Sequence, residues 1–120
     1  MSGQAFFDGR CVLVVEDEYF LADCLACDLR ETGAVVVGPV GSVEDALALV
    51  EAAERLDGAV VDINLHGEMA FPVADALIAR GVPLVFATGY DHASLPKAYA
   101  AIPGCQKPVD MAWVAGMLFP

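Results

Sequence analysis

Basic residues are scarce in this sequence. Its 120 residues contain six Lys and Arg against 17 Asp and Glu, which gives a formal net charge of −11. Binding to DNA, RNA or an anionic membrane depends on several basic side chains that neutralise phosphates, so such binding is disfavoured. The sequence therefore predicts neither a nucleic acid nor a membrane as a partner.

Long apolar runs are also absent. No stretch approaches the roughly 18 apolar residues that a membrane-spanning helix needs. The first ten residues, MSGQAFFDGR, lack the basic region and apolar run that mark a secretory signal. We therefore expect a cytoplasmic protein.

Cysteines are few, and their spacing is not that of a metal site. Cys11 and Cys105 fall in runs that resemble buried strands, which favours reduced thiols over disulfides. Cys24 and Cys27 form a C-x-x-C motif within a helical pattern, but no second pair and no His stands at zinc spacing. We interpret these two cysteines as helix-packing residues. His66 and His92 likewise lack companions at ligand spacing and are interpreted as incidental.

Apolar residues, by contrast, are abundant. They make up 58% of the chain, and the mean hydropathy is +0.59. Such a composition excludes intrinsic disorder, because enough apolar surface can be buried to form a core. The length suits one domain, so we expect a single domain over 1–120 with its core at about 9–119.

Short apolar runs recur at intervals of 21 to 25 residues. They are CVLVV (11–15), AVVV (34–37), AVVDI (59–63), PLVFA (83–87) and the weaker GCQK (104–107). Continuous apolar runs are typical of strands covered on both faces, and the intervals leave room for a helix in each crossover. This alternation predicts a doubly wound, five-stranded parallel α/β sheet with strand order 2-1-3-4-5.

Capping signals support the helices between these runs. Ser42 stands where an N-cap is expected, Pro72 suits a first helical turn, and Gly81 is a natural helix stop. We expect strands near 11–16, 34–38, 58–62, 83–87 and 104–106, and helices over 18–31, 43–55, 71–80 and from about 110. The stretch 89–103 should contain only a short helix near Pro96.

Polar residues follow the predicted strands at one edge of the sheet. Each has an ordinary structural explanation when taken alone, such as an acid near a helix start or a solvated lysine. Together they suggest a site, because ligands of such sheets bind outside the carboxyl ends of the strands. The residues are Glu16, Asp17, Asp62, Thr88 and Lys107.

Three carboxylates are expected to converge at that edge and to repel each other. Oxygen-only ligands with high charge suit Mg²⁺, and Lys107 could supply further positive charge. The spacing of Glu16, Asp17 and Asp62 therefore predicts a magnesium site.

These residues resemble the receiver domain of two-component response regulators. VLVVEDE (12–18) is similar to the acidic pair after the family's first strand, and VVDINLHGE (60–68) contains Asp62 where the family has its phospho-acceptor. Thr88 and Lys107-Pro108 match the family's hydroxyl residue and Lys-Pro pair. FATGY (86–90) further resembles the FATGUY-type subgroup, whose members are often stand-alone receivers.

The resemblance implies a signalling domain that catalyses only its own phosphoryl transfer and slow self-dephosphorylation. Asp62 would accept a phosphoryl group from the phosphohistidine of a sensor histidine kinase or from a phosphotransfer protein. Mg²⁺ would be held by Asp17, Asp62 and the backbone carbonyl of Asn64, whereas Glu16 would act through water.

The resemblance also implies the roles of the remaining site residues and the mode of action. The Thr88 hydroxyl would donate to one phosphoryl oxygen, and Lys107 would pair with another. A stand-alone receiver would act on an unknown downstream protein by direct interaction or would serve as a phosphate sink.

Several positions depart from the family pattern. Gly104 stands where many receivers carry an aromatic switch residue, so Tyr90 is a candidate for that role. Only 18 residues separate Thr88 from Lys107, which predicts a shortened fourth helix. His66-Gly67-Glu68 replaces the usual Met-Pro-Gly, which leaves the loop after Asp62 more mobile or differently aimed.

Three other functions fit less well. A flavin- or nucleotide-binding module would need a phosphate loop where the acidic EDEYF (16–20) stands. An aspartyl hydrolase needs a second acid where this chain has Asn64. A silent pseudo-receiver is disfavoured by the intact set of acids, Thr88 and Lys107.

Overall fold

The computed structural model describes residues 6–88 and 95–120. Strands and helices alternate along this part of the chain, in the order β1 Cys11–Val15, α1 Tyr19–Glu31, β2 Val35–Val40, α2 Val43–Ala52, β3 Gly58–Val61, β4 Asn64–Leu65, β5 Glu68–Met69, α3 Phe71–Arg80, β6 Leu84–Thr88, a 3₁₀ turn Lys97–Tyr99, β7 Gly104–Gln106 and α4 Met111–Leu118. Among these elements, no helix is long and apolar enough to cross a membrane.

Five strands form one parallel sheet in the order β2-β1-β3-β6-β7. β6 and β7 are its fourth and fifth strands along the chain, so the predicted order 2-1-3-4-5 is confirmed. In the central pair, Val15 of β1 stands opposite Val61 of β3. The chain therefore reverses its direction of winding between β1 and β3, and this is where a ligand site is expected.

Alternate residues of each central strand enter two separate cores. Val12 and Val14 face the core beneath α1 and α4, whereas Leu13 and Val15 face the core beneath α2 and α3. All four side chains are almost fully buried. Burial on both faces explains why the strands are continuous apolar runs rather than alternating ones.

The capping signals act as the sequence predicts. The Ser42 hydroxyl accepts a hydrogen bond from the Asp45 N–H at the start of α2, and Gly81 ends α3 with a left-handed φ of 77°. α2 ends at Ala52 rather than at 55, and its C-cap Ala53 is extended. These helix ends fix the loops that lead into β3 and β6.

The two cysteines of α1 lie outside its packing face. The helix buries Ala22, Leu25, Ala26 and Leu29, whereas Cys24 and Cys27 are exposed free thiols. Their interpretation as helix-packing residues is therefore wrong, because the helix is rotated so that its alanines contact the sheet. The nearby Glu31 carboxylate raises the pKa of the Cys27 thiol, which disfavours a reactive thiolate.

The segment before β7 is tied to α3 by aromatic contacts. A 3₁₀ turn follows Pro96, where a short helix was predicted. The Tyr99 ring stacks on Phe71 with centroids 4.4 Å apart, and its hydroxyl donates to Asp75 at 3.0 Å. The predicted shortening of the fourth helix also concerns 89–94, which lie outside the described residues.

Candidate functional site

Four charged side chains meet at the carboxyl edge of the sheet. Glu16 and Asp17 follow β1, Asp62 follows β3, and Lys107 follows β7. The backbone N–H of Asp62 donates to the carbonyl of Val15 at 2.8 Å, so the ends of β1 and β3 are in register. The sequence prediction that these residues converge is borne out by this placement.

The three acids form one compact cluster. Carboxylate oxygens of Glu16, Asp17 and Asp62 lie within 4.8 Å of one another. Glu16 and Asp62 are only 5% and 7% exposed, so water screens their charges poorly. Carboxylates this close in a poorly screened site repel strongly unless positive charge or protons offset them.

Lys107 supplies part of that positive charge. Its ammonium donates to Asp62 Oδ2 at 3.0 Å and forms an ion pair with Glu16. Burial lowers the pKa of Lys107, but the two carboxylates outweigh burial and leave it raised. One ammonium therefore serves two buried carboxylates, and Asp17 is not among its described ion-pair partners.

Glu16 and Asp17 differ in the way the site affects them. Burial raises the pKa of Glu16 to about 7, an effect that the Lys107 ammonium only partly offsets. Burial also acts to raise the pKa of Asp17, but the backbone N–H of His66 and other hydrogen bonds leave it lowered. At neutral pH Asp17 is thus an ionised acid of the cluster, and Glu16 is poised to take a proton.

A short hairpin forms one wall of the site. β4 and β5 pair antiparallel, and the N–H of His66 at their turn donates to Asp17 Oδ2 at 2.8 Å. Asn64 also faces the acids, because its N–H donates to Asp62 Oδ1 at 3.3 Å. The hairpin is absent from the sequence prediction, and His66, interpreted from its spacing as incidental, contacts Asp17 through its backbone N–H.

Thr88 and Tyr90 are less fully described. The backbone of Thr88 ends β6 and pairs with Gln106, the residue before Lys107, which places it at the same edge of the sheet. Its side chain lies outside the described part of the chain, and so does the whole of Tyr90. The switch role of Tyr90 stays a prediction.

The donor set suits a hard divalent cation. Carboxylate oxygens dominate the described cluster, and neither a thiol nor an imidazole nitrogen is within the same 4.8 Å group. Mg²⁺ prefers one or two carboxylates together with retained waters, and the open depression over Glu16, Asp17 and Asp62 leaves room for water. The residues present therefore fit Mg²⁺.

The raised pKa of Glu16 predicts a pH dependence of folding in the absence of divalent cations. A buried acid that holds its proton more tightly when folded stabilises the fold below its unfolded pKa, and this stabilisation is lost as the pH rises through about 7. Glu16→Gln should therefore flatten the change in unfolding free energy between pH 5 and pH 7.5, measured by urea denaturation with a chelator. An equal slope in wild type and variant would show that Glu16 does not titrate in this range.

No protein-family model and no curated protein sequence matches this chain. Solved structures do match it. SdrG from Sphingomonas melonis Fr1 is 41% identical with a TM-score of 0.78, and the match covers 92% of this chain and 93% of SdrG.

Two further structures agree with this likeness. The BeF₃-activated conformation of SdrG from Pseudomonas melonis Fr1 is 38% identical with a TM-score of 0.73, and the match covers 95% of this chain and 93% of that one. The receiver domain of a sensor histidine kinase from Pseudomonas aeruginosa, with magnesium coordinated in its active site cleft, shares the fold at 22% identity and a TM-score of 0.73. That match covers 92% of this chain and 94% of the other.

The FATGUY-type subgroup named from FATGY stays a prediction, since no comparison names it and Gly89 and Tyr90 are not described. The broader resemblance is confirmed by the identity to SdrG over nearly the whole chain, by the strand order and by the acid-lysine site. This chain belongs to the receiver domains of two-component response regulators.

Proposed function

We propose that this chain is a phospho-accepting receiver that takes a phosphoryl group onto Asp62 with the help of Mg²⁺. The observation that carries the proposal is the environment of Asp62. This buried carboxylate lies at the reversal point of the sheet, between two other acids and the ammonium of Lys107. Such a cluster is costly for the fold, which favours a functional reason for it.

Asp62 is suited to act as the nucleophile. One oxygen contacts Lys107 at 3.0 Å, and the other accepts from the N–H of Asn64, so the carboxylate is held in one orientation. An Asp62 oxygen would attack the phosphorus of a phosphohistidine, the P–N bond would break, and its electron pair would stay on the histidine nitrogen. The product is an acyl phosphate on Asp62.

The other site residues stabilise charge around that reaction. Asp17, Asp62 and the backbone carbonyl of Asn64 would hold Mg²⁺, and Glu16 would contribute through water. Bound there, the cation offsets the negative charge of the carboxylates and the phosphoryl oxygens. Glu16 suits an indirect role, because it is already paired with Lys107 and its pKa is raised to about 7.

Lys107 and Thr88 would bind the phosphoryl group once it is on Asp62. The Lys107 ammonium lies next to Asp62. It could pair with a phosphoryl oxygen there by giving up its contact with Glu16 or Asp62. The hydroxyl of Thr88 would donate to another oxygen, a role that rests on the resemblance and on the position of its backbone at the end of β6.

The domain as a whole would act by signalling rather than by turnover of a substrate. We propose one receiver domain over 1–120, with a sensor histidine kinase or phosphotransfer protein as donor and slow self-dephosphorylation. A stand-alone mode, through protein binding or as a phosphate sink, is part of the proposal and rests on the resemblance of FATGY (86–90) to the FATGUY-type subgroup. The four free cysteines suit a reducing compartment such as the cytoplasm.

The most direct test of acceptance is intact-mass spectrometry after incubation with acetyl phosphate and Mg²⁺. We expect the mass of one added phosphoryl group on the wild-type chain and none on Asp62→Asn, because an amide is a much weaker nucleophile. Asp75→Asn is the matched control, since Asp75 lies on α3 and contacts Tyr99 outside the site. An equal mass gain in Asp62→Asn would show that another residue is the acceptor.

Lys107→Ala should destabilise the fold without abolishing phosphorylation of Asp62. The variant leaves two buried carboxylates without their ammonium, so we expect a loss of roughly 2 to 3 kcal/mol in unfolding free energy without Mg²⁺. Phosphorylation should persist at a lower rate when Mg²⁺ is present. Lys97→Ala removes an exposed lysine and should change neither quantity, and a Lys107→Ala variant as stable as wild type would contradict the ion-pair account.

A further inference from the structure

The β4–β5 hairpin is anchored to the domain by burial and by a backbone hydrogen bond. Leu65 is buried in the core beneath α2 and α3, and the N–H of Ala70 donates to the carbonyl of Ile63 at 2.7 Å across the hairpin base. At the turn, His66 and Gly67 both have positive φ, at 53° and 86°. The hairpin thus holds its tip in one place.

The turn of the hairpin contacts Asp17, which lies 49 residues before His66 in the chain. The N–H of His66 donates to Asp17 Oδ2 at 2.8 Å, and its imidazole Nδ1 lies 3.3 Å from the same oxygen. The hairpin also contains Asn64, whose side-chain oxygen accepts from the N–H of Gly67 at 2.7 Å. One turn therefore connects Asp17 with Asn64, the residue whose carbonyl is the proposed third ligand.

Asp17 needs such a contact because of its neighbours. Lys107 holds Glu16 and Asp62 in place, but the described contacts of Asp17 include no lysine. Repulsion from the two buried acids would turn its partly exposed side chain toward solvent. The N–H of His66, which donates to Asp17 Oδ2, counteracts that repulsion.

We propose that the β4–β5 hairpin is a strap that holds Asp17 in the cation site before the cation arrives, with His66 as the positioning residue. This inference rests on the proposed function, since it concerns the same Mg²⁺ site. A ligand held in place loses less conformational freedom when the cation binds, so the strap raises cation affinity. The backbone N–H of residue 66 is the essential group, and the imidazole is secondary.

Two substitutions of His66 separate the N–H from the side chain. Proline has no N–H and cannot adopt a φ near +53°, so His66→Pro removes the strap. Glycine keeps the N–H and adopts positive φ readily, so His66→Gly removes only the imidazole. Each protein is titrated with Mg²⁺ alone, and binding is monitored by calorimetry or by amide chemical shifts. We expect the Mg²⁺ affinity of His66→Pro to be about tenfold weaker than that of wild type. His66→Gly should stay within about twofold of wild type.

A second pair of variants covers the case in which His66→Pro does not fold. Gly67 and Gly81 both have positive φ, and a Cβ added at either would meet no atom within 4 Å. Ala substitution at each therefore introduces similar backbone strain. Gly67→Ala should weaken Mg²⁺ binding roughly threefold or more because the strap is strained, whereas Gly81→Ala, at the end of α3, should lower stability alone.

The outcomes distinguish the strap from the proposed function. If the wild-type chain binds no Mg²⁺, the proposed function fails and the strap with it. If wild type binds Mg²⁺ and folded His66→Pro or Gly67→Ala binds it equally well, the strap alone is overturned. A loss in His66→Gly as large as in His66→Pro would overturn the assignment to the backbone N–H.

Discussion

Repulsion among Glu16, Asp17 and Asp62 is the constraint on which the rest of this structure depends. The parallel sheet brings the ends of β1 and β3 into register, and this register places three acids within 4.8 Å. Two of them are buried where water screens charge poorly. Part of the repulsion is offset by the Lys107 ammonium, by the raised pKa of Glu16 and by the N–H of His66. A cation would offset the remainder.

The three acids differ in the group that offsets their charge. Glu16 and Asp62 share the Lys107 ammonium, so they are held rigidly against the sheet. Asp17 contacts the hairpin instead, which would hold it in position to bind a cation. Gly104 begins β7, at the position where many receivers carry an aromatic switch residue, so a conformational switch in this chain would have to use another element. The stack of Tyr99 on Phe71 ties the segment before β7 to α3, directly after the hairpin.

The sheet and the acid cluster were predictable from sequence because both arise from local patterns that repeat. Continuous apolar runs mark strands buried on both faces, and in a parallel sheet the residues after those runs meet at one edge. The hairpin contact was not predictable in this way, because His66 and Asp17 are 49 residues apart and the bond uses a backbone N–H. The exposure of Cys24 was not predictable, because Cys24 matches helical spacing as well as the buried alanines of α1 do.

We infer that a divalent cation would relieve this repulsion through Asp17. The most direct measurement is thermal unfolding of wild type and Asp17→Asn, with a chelator and with saturating Mg²⁺. The amide oxygen of Asn can still accept from the N–H of His66, so the substitution removes charge but keeps the hairpin contact. We expect Asp17→Asn to melt at or above the wild-type temperature in chelator and to gain little thermal stability from Mg²⁺, whereas wild type should gain clearly. Equal gains in both proteins, or a large loss of stability in Asp17→Asn with chelator, would contradict it.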